Sequence, residues 1–236
     1  MTTHKPLILT THMNYIKSLI VKFENEVKPW EITNFRGAVV SSMENCNILF
    51  HNHKEEGLRY SYPLIQYKRI RNKASIVCFG EGNDVISEFF TQSDLQLRIG
   101  DNIVDIKVED IKAERTLVQI WEKPLIYQLN NWLPLNEENY IVYKNTEGII
   151  ERTRLLEKIL LGNILSALKG LGIKIEEEIK CSMSDVSDPK IVSFKKVKLM
   201  SFNCKFSSNI SLPQYMGLGK HVSVGYGILT RKFNNI

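Results

Sequence analysis

The order in which side-chain periodicity changes along the first half of the chain restricts the fold more than any other feature. From Tyr15 to Glu26 the side chains alternate, with Tyr15, Lys17, Leu19, Val21 and Phe23 set against Ile16, Ser18, Ile20 and Lys22. A period of two belongs to a strand with two distinct faces. Pro29 suits the first turn of a helix, and Ile32, Phe35, Val39 and Met43 then recur at spacings of three and four, on one helical face. After the polar stretch Glu44 to Gly57, Leu58 to Ile70 is rich in β-forming residues. It turns at Arg71-Asn72-Lys73 into the apolar run Ala74 to Phe79, which predicts a hairpin. Gly80-Glu81-Gly82 interrupts it, Asn83 or Asp84 can cap a second helix, and Val85, Ile86, Phe89 and Phe90 give that helix an apolar stripe. Strand-like segments return from Leu95 to Trp121. Strand, helix, strand, strand, helix, strand is the split βαβ, or ferredoxin-like, order.

The second half repeats this order less clearly. A strand at Pro124 to Leu129 leads through a long polar connection to a helix from about Ile149 to Leu168, carrying Ile149, Thr153, Leu156, Leu160, Ile164 and Leu168 on one face. Gly170 and Gly172 end it. Ile173 to Lys180 and Ile191 to Phe206 suggest a hairpin, and a loop from Leu212 to Gly227 feeds a last strand at Tyr226 to Arg231. The expected class is α+β, two tandem ferredoxin-like (RRM-like) domains. Residues 1–122 form the first and 123–236 the second, and 236 residues suffice for two small cores.

Composition narrows the partners only slightly. Thirty-one Lys and Arg against 26 Asp and Glu leave a formal charge of +5, compatible with a polyanion but common among proteins without one. Basic residues gather at Lys68, Arg69, Arg71 and Lys73, at Lys195, Lys196 and Lys198, and at Lys220, Arg231 and Lys232; solvated turns and strand edges explain each cluster equally well. Cys46, Cys78, Cys181 and Cys204 lie far apart without a C-x-x-C pair, as reduced thiols of a cytoplasmic protein do. The run Leu7, Ile8, Leu9 is too short for a signal peptide, and no stretch approaches the roughly 18 apolar residues of a membrane span, so a cytoplasmic protein without a membrane partner is expected.

Two motifs could carry function. Gly217-Leu218-Gly219 and Gly225-Tyr226-Gly227 form a G-x-G-x5-G-x-G pattern. Such glycines can aim several backbone N–H groups at one phosphate, or can simply make two tight turns. Lys220 and His221 inside the loop favour phosphate. The pattern is neither a P-loop nor a dinucleotide fingerprint. His51-Asn52-His53 is the one close histidine pair. In an extended loop, residues two apart point the same way, so both imidazoles could flank one scissile phosphate, one taking a proton from a ribose 2′-hydroxyl and the other giving one to the leaving 5′ oxygen. Two exposed loop histidines is the bland reading. A zinc site of Cys46, His51 and His53 lacks an evident fourth ligand. Tyr60 could donate a hydrogen bond to substrate or be an ordinary strand tyrosine. A pair of H-x-T/S motifs, the mark of another phosphodiesterase family, is half missing, since only His221-Val222-Ser223 fits.

With the glycine pattern so close to the C-terminus, the chain resembles the RAMP superfamily of CRISPR-associated proteins. Phe35-Arg36-Gly37, His51-x-His53 and Gly57-Leu58-Arg59-Tyr60-Ser61-Tyr62-Pro63-Leu64-Ile65-Gln66-Tyr67-Lys68 resemble the N-terminal domain of a divergent subfamily of its repeat-processing endoribonuclease, CRISPR-associated protein six. The resemblance, spanning roughly residues 15 to 232, implies metal-independent cleavage of CRISPR repeat RNA without a cofactor, leaving a 2′,3′-cyclic phosphate and a 5′-hydroxyl. It implies His51, His53 and Tyr60 as catalytic residues. RNA would be held by Gly217, Gly219, Lys220, His221, Gly225 and Gly227. The lysine that assists upstream in some members is absent between Ala38 and Phe50, which leaves Arg36 or Lys54 to supply positive charge. A CRISPR effector complex is a further candidate partner, and monomer and homodimer both stay open. The rival expectation is a catalytically silent RAMP subunit that binds guide RNA.

Overall fold

The structure, a computed structural model, describes residues 14–51, 53–54, 57–58, 62–99 and 102–232. The first half runs β1 (Tyr15–Glu26), a 3-10 turn (Pro29–Glu31), α1 (Ile32–Ser41), α2 (Ile48–His51), β2 (His53–Lys54), β3 (Gly57–Leu58), β4 (Ile65–Ile70), β5 (Lys73–Phe79), α3 (Gly82–Gln92), β6 (Gln96–Ile99), β7 (Asn102–Asp105) and β8 (Val108–Leu117). The second runs β9 (Ile120–Trp132), α4 (Glu137–Asn145), α5 (Ile149–Gly170), β10 (Cys181–Val186), β11 (Lys190–Phe194), β12 (Val197–Ile210) and β13 (Ile228–Lys232).

Each half builds one main antiparallel sheet, ordered β4-β5-β1-β8 in the first and β10-β12-β9-β13 in the second, with β11 pairing β12. Counting principal strands within each half, both orders are second, third, first, fourth. The duplication expected from element order is therefore a duplication of sheet topology. The halves differ at one place: α3 joins the third and fourth strands of the first sheet, whereas residues 211–227, which hold the glycines, make that connection in the second.

Both faces of the first sheet are covered. Val21 and Phe23 of β1 with Ala74, Ile76 and Cys78 of β5 face a core shared with α1 to α3, while Ile16 and Ile20 with Val77 and Phe79 face a core shared with the second sheet and α5. A strand covered on both sides loses the alternation of a half-exposed one, which is why Ala74 to Phe79 is apolar and buried almost throughout.

Four elements differ from expectation. Ile173 to Lys180 forms no strand; the partner of β12 is instead Cys181–Val186, a segment rich in Ser and Asp that sequence pattern disguises because most of its residues stay accessible. The polar connection before α5 contains α4, whose Asn136 side chain caps the Asn139 N–H at 2.7 Å. The stretch from Glu44 contains α2. The first helix stops at Ser41, although Met43 still reaches the core. The expected division at 122/123 falls within β9.

Candidate functional site

The histidine pair does not lie in one extended loop. His51 is the last residue of α2 and His53 opens β2, where His53 pairs with Leu58 and Lys54 with Gly57. The two-residue rule for strands therefore does not carry across the pair, because a helical turn ends between them. Tyr60 lies outside the described residues.

The turn α2 is fixed at both ends. Asn47 Oδ1 accepts from the Leu49 N–H at 3.0 Å, and Leu49 and Phe50 are buried in the core beneath α1. At the other end, the Tyr67 hydroxyl donates to the Phe50 carbonyl at 3.3 Å, and the Arg36 guanidinium donates to the His51 carbonyl. Burial lowers the Arg36 pKa from its ordinary value, yet an arginine stays charged at neutral pH. The charge proposed for RNA thus faces the backbone of the histidine turn. Burial, followed by Glu88, pushes the Cys46 thiol up to about 11, so it is protonated at neutral pH.

The glycine loop is a clasp between the halves. Leu218 and Met216 enter the core between the sheets, and Val224 enters the core under α1. Beside Val224, the Ser223 carbonyl accepts from the Tyr67 N–H at 2.9 Å, adding a parallel bridge to the free edge of β4. Tyr62 reaches across as well: its hydroxyl donates to the Gly217 carbonyl at 2.9 Å and accepts from the Gly217 N–H at 3.2 Å. A Cβ on Gly227, at φ 62°, would stand 1.9 Å from the Leu218 carbonyl oxygen; one on Gly219 would meet Trp132 at 2.8 Å. These glycines answer to close packing and left-handed backbone.

This arrangement narrows the phosphate-cradle expectation. The N–H groups of Leu218, Lys220 and Gly227 donate to the carbonyls of Gly227, Leu133 and Asn131, and that of Val224 to His221. The N–H groups of Gly219, of the successive residues His221, Val222 and Ser223, and of Gly225 and Tyr226 make no hydrogen bond among the described residues, and Lys220 is exposed.

Lys220 and a basic hairpin tip distant in sequence meet here. Lys195 and Lys196 form the tip of the β11–β12 hairpin, and the ring of Phe194 lies 4.1 Å from that of His221 and 6.2 Å from that of Tyr226. Burial first, then Lys220 and Lys195, lower the His221 pKa. That imidazole is neutral at pH 7. The third cluster disperses: Arg69 donates to the Val27 carbonyl, Lys73 pairs with Glu109 at 2.9 Å, and Lys68 is fully buried with no partner for its Nζ among the described residues, burial pushing its pKa down to about 7. Alternation along β4 turns Lys68 inward, a direction that the run Lys68-Arg69 conceals.

Among the described residues, no group of three or more His, Cys, Asp or Glu could hold a metal ion, and no helix is long and apolar enough to cross a membrane.

Sequence models of the N-terminal and C-terminal domains of Cas6b match residues 14–117 and 119–232. Over 103 residues, 44% of this chain and 69% of the relative, the sequence is 39% identical to an uncharacterized protein of Methanocaldococcus jannaschii. A crystal structure of Cas6b superposes with a TM-score of 0.85 at 28% identity, covering 93% of this chain and 100% of that one. A second, of the CRISPR RNA processing endoribonuclease Cas6b, gives 0.72 at 26% with the same coverage. Csf5, a type IV Cas6 crRNA endonuclease, is similar in fold alone, with a TM-score of 0.58 at 13% identity over 93% of this chain and 100% of that one.

Proposed function

The chain belongs to the Cas6b family of CRISPR RNA-processing endoribonucleases, and from that premise we propose that it cuts CRISPR repeat RNA in precursor transcripts, without a metal ion, at the turn carrying His51 and His53. The observation that carries this reading is the placement of the turn: α2 ends in His51, β2 begins with His53, and both lie in the half whose β4 edge receives the glycine loop.

In the proposed reaction the ribose 2′-hydroxyl beside the cut attacks phosphorus. One histidine removes its proton, the P–O5′ bond breaks, and the other histidine protonates the departing 5′ oxygen. A 2′,3′-cyclic phosphate and a 5′-hydroxyl result. Imidazoles suit both transfers because their ordinary pKa lies near neutrality. Tyr60 donates a hydrogen bond to the substrate, and Lys54 adds positive charge. The first domain, 1–122, supplies this chemistry. The second, 123–236, holds RNA through Lys220, His221 and the glycine segment Gly217, Gly219, Gly225 and Gly227. The reaction takes place in the cytoplasm, with a CRISPR effector complex as a recipient of the product.

Incubation with the host's repeat RNA in excess EDTA, followed by mapping of both product ends, tests this reading. Cyclic phosphate and 5′-hydroxyl ends are expected. Tight binding without any cut would instead identify a silent RNA-binding subunit, and loss of cutting in EDTA would identify a metal-dependent hydrolase.

A further inference from the structure

A single helical turn cannot hold itself in place, since nucleation is unfavourable and its last carbonyls lack partners within the helix. In α2 those carbonyls are taken by side chains from two other elements. Arg36 of α1 donates to the carbonyl of His51, and Tyr67 of β4 donates to that of Phe50 at 3.3 Å. Both donors are themselves constrained. The Tyr67 ring is fully buried and edge-on to Phe35 with centroids 5.9 Å apart, and its backbone N–H is fixed to Ser223 of the glycine loop. Arg36 is half-buried on the helix that packs against β4. Committing a desolvated cation to one backbone carbonyl is a demanding way to end a short helix, and the carbonyl chosen belongs to the residue bearing the imidazole.

We propose that Arg36 and Tyr67 are positioning residues that brace the histidine turn, so that the His51 imidazole meets the scissile phosphate in one orientation. This rests on the nuclease reading above. Neither residue touches RNA in this role. Arg36 thereby loses its expected place as an RNA contact, and Tyr67, a core tyrosine by its sequence surroundings, becomes the residue that joins the glycine loop to the histidine turn. The effect is transmitted through position, and displacing a reacting group by about 1 Å can slow a reaction on the order of 100-fold.

Tyr67→Phe keeps the buried ring and removes only the hydroxyl; Arg36→Ala removes the brace at His51, and Arg36→Lys keeps its charge. Single-turnover cleavage should fall about 10- to 100-fold in Tyr67→Phe and Arg36→Ala, while affinity for repeat RNA with 2′-deoxyribose at the cut changes by less than about threefold. Free guanidinium should restore part of the rate to Arg36→Ala. Arg36→Lys should fall between that variant and wild type. Introduced into His51→Ala, neither Tyr67→Phe nor Arg36→Ala should cost anything further, because residues acting through one group are not additive. Wild-type cleavage by Tyr67→Phe and Arg36→Ala, with His51→Ala inactive, overturns the brace and leaves the nuclease reading standing. Full additivity in the His51→Ala background also overturns it, since both residues would then act elsewhere. Wild-type cleavage by His51→Ala removes His51 from the reaction, and the brace with it; no cleavage by the unaltered chain removes the nuclease reading itself.

Discussion

Both the glycine loop and the histidine turn sit against β4, but the loop sends Leu218 into one core and Val224 into the other, whereas the turn hangs on Arg36, Tyr67, Asn47 and two buried side chains. Burying a Leu, Met or Val contributes roughly 1.5–3 kcal/mol, so the loop carries stability out of proportion to its irregular backbone. It stands where the first half has a helix, and it closes the second domain onto the first. The turn buries Leu49 and Phe50 in one core alone and holds the titratable groups. On the proposed reading, loop and turn divide the work between scaffold and chemistry, with exposed Lys220 and the neighbouring hairpin tip as the proposed RNA contacts.

The largest expected effect breaks the scaffold side. Gly227→Val places a Cβ against the Leu218 carbonyl and forces a β-branched residue into left-handed backbone. Cooperative thermal unfolding should be lost or shifted down by more than about 10 °C, corresponding to a loss of a few kcal/mol. Gly37→Ala in α1, where an added Cβ meets nothing within 4 Å, should be neutral or stabilising by up to about 1 kcal/mol. Equal melting temperatures for the two variants would mean that the loop is no clasp.

Next comes the chemical side. His51→Ala or His53→Ala should lower single-turnover cleavage on the order of 100-fold or more with RNA affinity nearly unchanged, since acid–base groups act mainly in the transition state. Two variants that cut like wild type would move the site elsewhere.

What the sequence conveyed follows the same division. Tyr15 to Glu26 reads as a strand because Ile16 and Ile20 turn to one core and Val21 and Phe23 to the other, with Lys17, Lys22 and Glu24 left at the margins, and Ile32, Phe35 and Val39 mark the buried side of α1; these patterns arise from local geometry and are visible without a fold. The paired glycines stood out for the same reason. Their task did not, because Gly227 is set by Leu218 and Gly219 by Trp132, and the latter contact joins residues far apart in the chain. The hand-over from Tyr67 to Phe50, and the meeting of Lys195 with His221, likewise require the sheet to be assembled first. The β10 strand escapes sequence reading because its alternation, Cys181-Ser182-Met183-Ser184, is only four residues long before the register shifts between Met183 and Asp185.

A smaller effect probes Lys68. Its folded pKa of about 7 lies below the value of about 10.4 in an unfolded chain. Below pH 7 both states hold the proton and the burial penalty is complete; above it the unfolded state binds more protons, so stability rises with pH until the unfolded lysine also titrates. The slope is at most about 1.4 kcal/mol per pH unit. Lys68→Met should be more stable than wild type at pH 7, and the difference should shrink toward pH 9.5. A pH-independent difference in chemical-denaturation free energy would place a charged lysine in the core.

The smallest expected effect sharpens the boundary between scaffold and interface. Lys220→Ala should leave the melting temperature unchanged, weaken RNA binding, and make the dependence of log affinity on log salt shallower by roughly 0.7 to 0.9, one phosphate contact. Filter binding across a salt series measures it; an unchanged slope would remove Lys220 from the RNA surface.

The most direct test of the chemistry assigned to the histidine turn uses repeat RNA with a single 2′-deoxyribose at the cut, incubated in EDTA under single-turnover conditions alongside the all-ribose strand. The neighbouring 2′-hydroxyl is the proposed nucleophile, held beside phosphorus before reaction. The all-ribose strand should be cut to a 2′,3′-cyclic phosphate and a 5′-hydroxyl, while the deoxy strand binds with similar affinity and stays intact. Cleavage of the deoxy strand at the same position would contradict the mechanism.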